Sequence, residues 1–433
     1  MNPIPGTLLK VLVAQKSWRY RDFAAAFERA AVTAGLRNQT LSEAQFRRWT
    51  SGRVKTLPSP DACRVLEAMF GREAAALFAA PPRSVATTAP TAYDIESEIA
   101  MTARDAADEA STAAAQSVSD ITIDQMRDDV AGLAMSYANM PPFDVFRAAK
   151  RLRRDAEYQR GATQVPVQQQ ELLILAGQAC ALLSTAAFDL GALDDATRLA
   201  RSAALYGETA RFDPLRAYAT GSLAVVAYFA GRPSEAVRHA RAALAFGGLG
   251  DVGRRRLLSI AARAYGHLGD GEQAGRATAA AAVLDTGARD DLHDGVGGEF
   301  AFDEERLVMS AATTALLGGN GAQAEGQARR ALELVSARPL ARQSTTVKAK
   351  ASADLAAALL VRGDLEAAEE ALAPVWEVPG DRRSAGLLDR VTALRSALTG
   401  PSWRTARLAV DLGERIEDYG RLAAGREVPA VEA

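Results

Sequence analysis

Apolar positions in this chain recur at helical spacing, in stretches broken by glycine, proline and polar linkers. In the segment 41–52, LSEAQFRRWTSG, Phe46 and Trp49 are three apart, so they share one helix face and point inward. Glu43, Ala44, Gln45, Arg47 and Arg48 project from the other faces. Ser42 is a good N-cap, and Glu43 favours the helix start electrostatically. Gly52 ends the helix, and Arg53 and Lys55 follow in the loop. Upstream, a helix beginning near Tyr20 and Arg21 turns Phe23 and Ala24 inward. Downstream, Pro58 and Pro60 precede Cys63, Val65, Leu66, Met69 and Phe70, a further helix that closes a small core. The rhythm stops at 81–93, PPRSVATTAPTAY, which reads as a linker. Residues 94–165 read as connecting helices. The first carries a thin apolar edge of Ile95, Ile99 and Met101. A second, near Met126–Tyr137, is stopped by Pro141 and Pro142, and Phe143–Tyr158 forms the third. Its basic cluster, Lys150, Arg151, Arg153 and Arg154, reads as a solvated face.

From about residue 166 to 420 the pattern repeats. Glycine, four residues, then alanine occurs at Gly191–Ala196, Gly231–Ala236, Gly269–Ala274, Gly319–Ala324 and Gly363–Ala368. Seven residues before each glycine sits a small residue: Ser184, Ala224, Ala262, Ala312 and Ala356. Twelve residues after it come Ala203, Ala243, Ala281, Ala331 and Val375. The glycine ends one helix in a tight turn, and small residues let the returning helix approach closely. One such hairpin cannot bury its apolar face, so neighbours must stack. The interval 284–300, LDTGARDDLHDGVGGEF, reads as an inserted loop, 383–420 as a last helix pair, and 421–433 as a tail.

Composition sharpens this picture. The chain is 48% apolar and only 6% aromatic, which favours helices packed through small side chains over a β-rich core. Cys63 and Cys180 lie far apart on apolar faces and read as core residues in a reducing compartment. The N-terminus lacks the order of a signal peptide, and no run of 18 apolar residues suggests a membrane span, so a cytoplasmic location is expected. Twelve basic and six acidic side chains fall in residues 1–80, although the whole chain carries a net charge of −2. A basic segment on an acidic body is the footprint of a DNA-binding head.

Ser42, Phe46, Trp49 and Gly52 resemble the recognition helix of phage-repressor (XRE-type) helix-turn-helix regulators, across roughly residues 5–75. The stretch from Ala24 to Ser42 is about three turns longer than that family's link, which implies an elongated upstream helix or an intervening loop. Residues 168–400 resemble tetratricopeptide repeats, with longer periods of 38–50 residues. The fold expected is all-α: a small helix-turn-helix domain at 1–80 plus a tetratricopeptide-like superhelix. The first resemblance implies that Ser42 caps the recognition helix, that Glu43, Ala44, Gln45 and Arg48 face bases, and that Tyr20, Arg21, Arg47, Arg53 and Lys55 touch phosphates. The second implies a concave face carrying Gln178, Thr185, Tyr218, Tyr228, Arg256, Arg263, Arg306 and Lys350. That set suits a peptide or small anionic ligand.

No catalytic signature is present. His239, His267 and His293 are dispersed, with no cysteine pair beside them, so no metal or cofactor is expected. The glycine-rich GVGGEF lacks the lysine of a phosphate loop. Together these features imply an actinobacterial-type transcriptional regulator that binds double-stranded DNA as a homodimer and senses an effector. A protein-interaction adaptor with a vestigial head is the alternative.

Overall fold

The five glycines that punctuate the repeat all adopt positive φ, from +69° at Gly319 to +89° at Gly363. Each closes a tight turn between two helices, in a conformation that a side chain would strain. The computed structural model of the chain describes residues 7–36, 39–51, 54, 56–81, 92–115 and 117–424. Gly52, Arg53, Lys55, most of the 81–93 linker and the last nine residues of the tail lie outside the described residues. Every regular element described is helical, and there is no strand among them.

The chain divides into two units, Met1–Ala107 and Asp108–Ala433. The first contains α1 (Leu8–Gln15), α2 (Tyr20–Thr33), α3 (Glu43–Thr50), α4 (Pro60–Phe70) and α5 (Ala74–Phe78). Thr7 and Ser59 cap α1 and α4 through their hydroxyls, and Pro60 stands in the first turn of α4, where its missing N–H costs nothing. Leu9, Phe23, Phe27, Trp49, Val65, Leu66 and Leu77 form one buried core. The long link between Ala24 and Ser42 resolves into both an extended α2 and a loop from Ala34. Helix α6 (Ala92–Ala115) crosses the division, and its described side chains, Ile99 and Met101 among them, are exposed.

The second unit is a run of helical hairpins. It starts earlier than the glycine signature indicates. Helices α7 (Asp120–Ser136) and α8 (Pro142–Ala162) pack against α9 (Pro166–Asp189) as a first hairpin rather than as connectors. Pro142 opens α8 from its first turn. The series continues with α10 (Leu193–Thr209), α11 (Asp213–Phe229), α12 (Pro233–Leu244), α13 (Asp251–Leu268) and α14 (Gly271–Val283). It closes with α15 (Glu304–Leu317), α16 (Gly321–Ser336), α17 (Thr345–Arg362), α18 (Leu365–Ala371), α19 (Ala373–Trp376), α20 (Ala385–Leu398) and α21 (Arg407–Ala424). The small residues sit where each hairpin crosses. Ser184, Ala224, Ala262, Ala312 and Ala356 are buried, as are their alanine partners after each turn. The Ser184 hydroxyl donates to the Ala196 carbonyl at 2.8 Å, so the one polar member of the set is satisfied.

Each hairpin's first helix packs on the next one's, α9 on α11, α11 on α13, α13 on α15, α15 on α17 and α17 on α20. The series curves until its ends meet. α20 touches α9, α17 touches the short 3-10 turn Tyr137–Asn139, and the Thr346 hydroxyl donates to the Ala138 carbonyl at 3.2 Å. Helix α9 is long and apolar enough to cross a membrane by composition, with a mean hydropathy of 1.6. Most of that window (78%) is buried between its neighbours, as befits a helix apolar on all sides inside a folded unit.

The interval read as an inserted loop is folded inward. It contains one π-helical turn, Asp291–Val296, and buries Leu292 and Phe300 completely. Asp290 holds it in place, accepting from the backbone of Gly250, Leu292 and His293 and from the His293 ring at 3.0 Å. Phe300 packs edge-on against Tyr218, and the Glu299 amide donates to the Ala134 carbonyl at 2.9 Å.

Candidate functional sites

In the first unit, α3 is a short helix fixed by its own sequence. The Ser42 hydroxyl accepts from the Gln45 amide, and the Gln45 side-chain oxygen accepts from the Ser42 amide at 2.9 Å, a complete capping box. Trp49 is buried against Phe27, and Phe46 packs on Phe23 at 5.1 Å. Aromatic rings therefore hold α3 to α2. Glu43, Ala44, Gln45, Arg47 and Arg48 remain exposed.

Gln45, Glu43, Arg47 and Tyr20 each have a partner within the protein. The Gln45 carbonyl is occupied by the cap, which leaves only its amide to donate outward. Arg47 and Glu43 pair with each other one turn apart. Tyr20 donates its hydroxyl to the Leu41 carbonyl at 2.8 Å and packs on Phe46, so it positions the start of α3 rather than pointing at a backbone phosphate. Arg21 and Arg48 are exposed. Arg53 and Lys55 lie outside the described residues.

The second unit carries a partly open cavity of about 200 Å³ lined by the first helices of its hairpins. Of the residues projected from the repeat, Thr185, Tyr218, Tyr228, Arg256, Arg263, Arg306 and Lys350 all line it. Gln178 does not. It is buried on α9 two turns before Thr185, about 11 Å further along the helix axis, beyond the end of the cavity. Tyr137 and Ala138 from the 3-10 turn and Glu299 from the inserted segment add to the cavity's lining.

The cations are not equivalent. Arg256 lies over the Tyr218 ring, 3.9 Å from its centre, and donates to the Tyr218 carbonyl and the Ser222 hydroxyl. Burial pulls its pKa down from the ordinary arginine value. Arg306 donates to the Glu299 carboxylate at 2.9 Å and to the Glu299 and Ala301 carbonyls. Burial opposes its charge, but Glu299 and Asp303 outweigh that and push its pKa up. Arg263 lies over Tyr228, 5.4 Å from the ring centre. Lys350 is depressed below the ordinary lysine range by burial, with Arg390 and Arg306 adding to the effect and Asp189 and Glu299 opposing it. Neither Arg263 nor Lys350 has a carboxylate within ion-pair distance among the described residues.

Sequence projection missed several lining groups. Asp189 accepts from the buried Tyr137 hydroxyl at 2.9 Å, and burial and that carboxylate raise the Tyr137 pKa. Arg390 pairs with Asp354 at 2.9 Å and donates to the Thr313 hydroxyl. Arg382 and Arg390 belong to the last hairpin region, where no glycine-to-alanine signature sets the register. In all, six basic side chains face two acidic ones, Asp189 and Glu299. Four buried polar atoms on lining residues find no partner within the protein: Tyr228 Oη, Arg263 Nε, Ser310 Oγ and Ser384 Oγ. A buried polar group left alone costs about 1–3 kcal/mol, so such a cluster is rare unless something polar meets it.

Among the described residues no group of three His, Cys, Asp or Glu side chains is placed to hold a metal. Cys180 is buried, and desolvation pushes its thiol up to about 12, too high for a nucleophile at neutral pH. No protein-family model matches the chain, and no curated protein sequence matches it.

Proposed function

We propose that this protein is a cytoplasmic, sequence-specific DNA-binding regulator of the helix-turn-helix type. Its tetratricopeptide-like array senses a small anionic effector. The observation that carries the reading is α3, an eight-residue capped helix anchored by Phe46 and Trp49 that leaves its remaining face polar and exposed. Such a helix has the size and polarity to enter a major groove, with Arg48 as the base-reading side chain and Arg21 and Arg47 beside phosphates. One small head buries too little surface for high specificity, so the protein acts as a homodimer on two half-sites. The cationic cavity supports the sensing half of the reading, because six cations face two carboxylates there.

Selection of bound duplexes from a random DNA library tests it. Recovery of one motif is expected, with affinity that falls by about 0.9 log units per log unit of salt for each phosphate contact. Arg48→Ala should blur that motif at one position. No enrichment at low salt would refute DNA binding and leave the adaptor as the surviving alternative.

A further inference from the structure

The cationic cavity shares part of its wall with a second one. Tyr228, Phe229, Arg263 and Arg390 also line a second cavity, of about 410 Å³, between α13, α15, α17 and α20. This second space has a different chemistry. Its far walls are Leu316, Leu317, Leu360, Val361, Leu394 and Trp403. Leu317 and Val361 are exposed although they are large and apolar. Of the polar groups that border it, Asp389 is exposed, while Asp354 and His267 are engaged elsewhere. Asp354 is held by Arg390 and the Thr313 hydroxyl, and His267 is stacked on Tyr228 at 5.0 Å, with burial lowering its pKa and favouring the neutral ring.

We infer that the effector is an amphipathic anion. Its carboxylate or phosphate head sits between Lys350, Arg263 and the unpaired Ser310 and Ser384 hydroxyls, and its hydrocarbon body runs past Tyr228 and Phe229 into the apolar space. The inference rests on the reading that the cationic cavity is the effector site. A purely apolar ligand would leave Lys350 and Arg263, two half-buried cations that line the same cavity, without an anion to meet them, which is costly. A peptide would carry backbone donors and acceptors into a space whose leucine, valine and tryptophan walls cannot meet them. A small inorganic anion would satisfy the cations and leave the apolar walls uncovered. A single-headed amphiphile satisfies both halves.

Titration of the full chain with n-alkyl phosphates and n-alkanoates, from two carbons to twelve and below their micellar concentrations, tests this. Calorimetry and the fluorescence of Trp403 read the binding, with Trp403→Phe as the control for signal origin. Each added methylene should tighten binding about fourfold until the space is filled. Alkyltrimethylammonium ions of the same length should not compete. Comparison of the two head groups shows which anion is preferred.

Ala393→Trp, at an exposed position that lines only the apolar cavity, should abolish the chain-length dependence and leave ethyl phosphate binding unchanged. Lys350→Gln should weaken every member of the series by the same factor. Ethyl and dodecyl phosphate binding equally well would overturn the amphipathic inference while leaving an anion site in the cationic cavity. A chain-length dependence that survives Ala393→Trp would also overturn it, by placing the hydrocarbon elsewhere. Failure of every anion to bind would refute the effector-site reading itself, and the inference with it.

Discussion

Gly298 is the position where a single methyl group should do most damage. It adopts φ +61°, and a Cβ there would lie 2.5 Å from both the Ala134 carbonyl oxygen and the Met135 nitrogen. Those atoms are backbone, so no rotamer change relieves the clash. The inserted segment must move by at least roughly 0.5 Å to restore a tolerable contact, which breaks its seat on the end of α7. Alanine in the left-handed region costs about 1–2 kcal/mol. Loss of the Glu299 amide to Ala134 carbonyl bond, 2.9 Å long in the native chain, adds about 1 kcal/mol. Displacement of the buried Phe300 adds about as much again, and the total for Gly298→Ala is roughly 3–4 kcal/mol. Gly191→Ala is the matched control. Gly191 has φ +83° but open space around its Cβ direction, so only the conformational cost of about 1–2 kcal/mol applies. Urea denaturation of both variants, read by circular dichroism at unchanged slope, measures the difference. Equal midpoints for the two variants would show that the segment is not seated on the α7 backbone, and the argument would fail.

Two further outcomes concern the cavity, and a third the cysteines. Glu299→Gln should free Arg306 and tighten anion binding by about tenfold, while it destabilises the fold by about 3 kcal/mol because a buried cation loses its partner; calorimetry and denaturation read the two effects separately. Lys350 has a folded pKa below its unfolded value, so its charged form is penalised in the native state. Stability should therefore rise with pH through the window between the lowered and the ordinary lysine pKa. Anion affinity should fall over the same window, and Lys350→Arg should remove that alkaline loss. Cys180 should resist alkylation at neutral pH until the array unfolds, whereas the half-buried Cys63 reacts in the native state; mass spectrometry of maleimide-treated protein distinguishes them.

Much of the array was legible because its rules are local. Gly191, Gly231, Gly269, Gly319 and Gly363 mark turns, and the small residues seven before and twelve after them mark crossings. Both follow from the geometry of one hairpin. The inward positions implied by the tetratricopeptide resemblance reached Tyr218, Tyr228, Arg256, Arg263, Arg306 and Lys350, which line one cavity. The features it did not reach depend on contacts between distant segments. Nothing near Thr346 in the sequence announces its bond to Ala138, and nothing in GVGGEF says that Glu299 turns inward to Arg306. The same holds for Asp189, whose partner Tyr137 comes from a hairpin without the glycine signature. In the head, the spacing of Ser42 and Gln45 is that of a capping box, yet the sequence reading gave Gln45 to the bases alone. Gln178 shares a helix face with Thr185, and only the closure of the array decides that the cavity stops short of it.

Open helical solenoids gain or lose repeats readily during evolution, since each unit answers only to its two neighbours. The meeting of α20 with α9, and of Thr346 with Ala138, removes that freedom here. Deletion of one internal hairpin would strand both ends and open the binding space. Duplication of one would carry α20 past α9. Length variation among descendants of this chain should therefore fall in the turns and the inserted segment and spare the number of hairpins. Unfolding of the array should be cooperative from end to end, without the gradual fraying of an open stack.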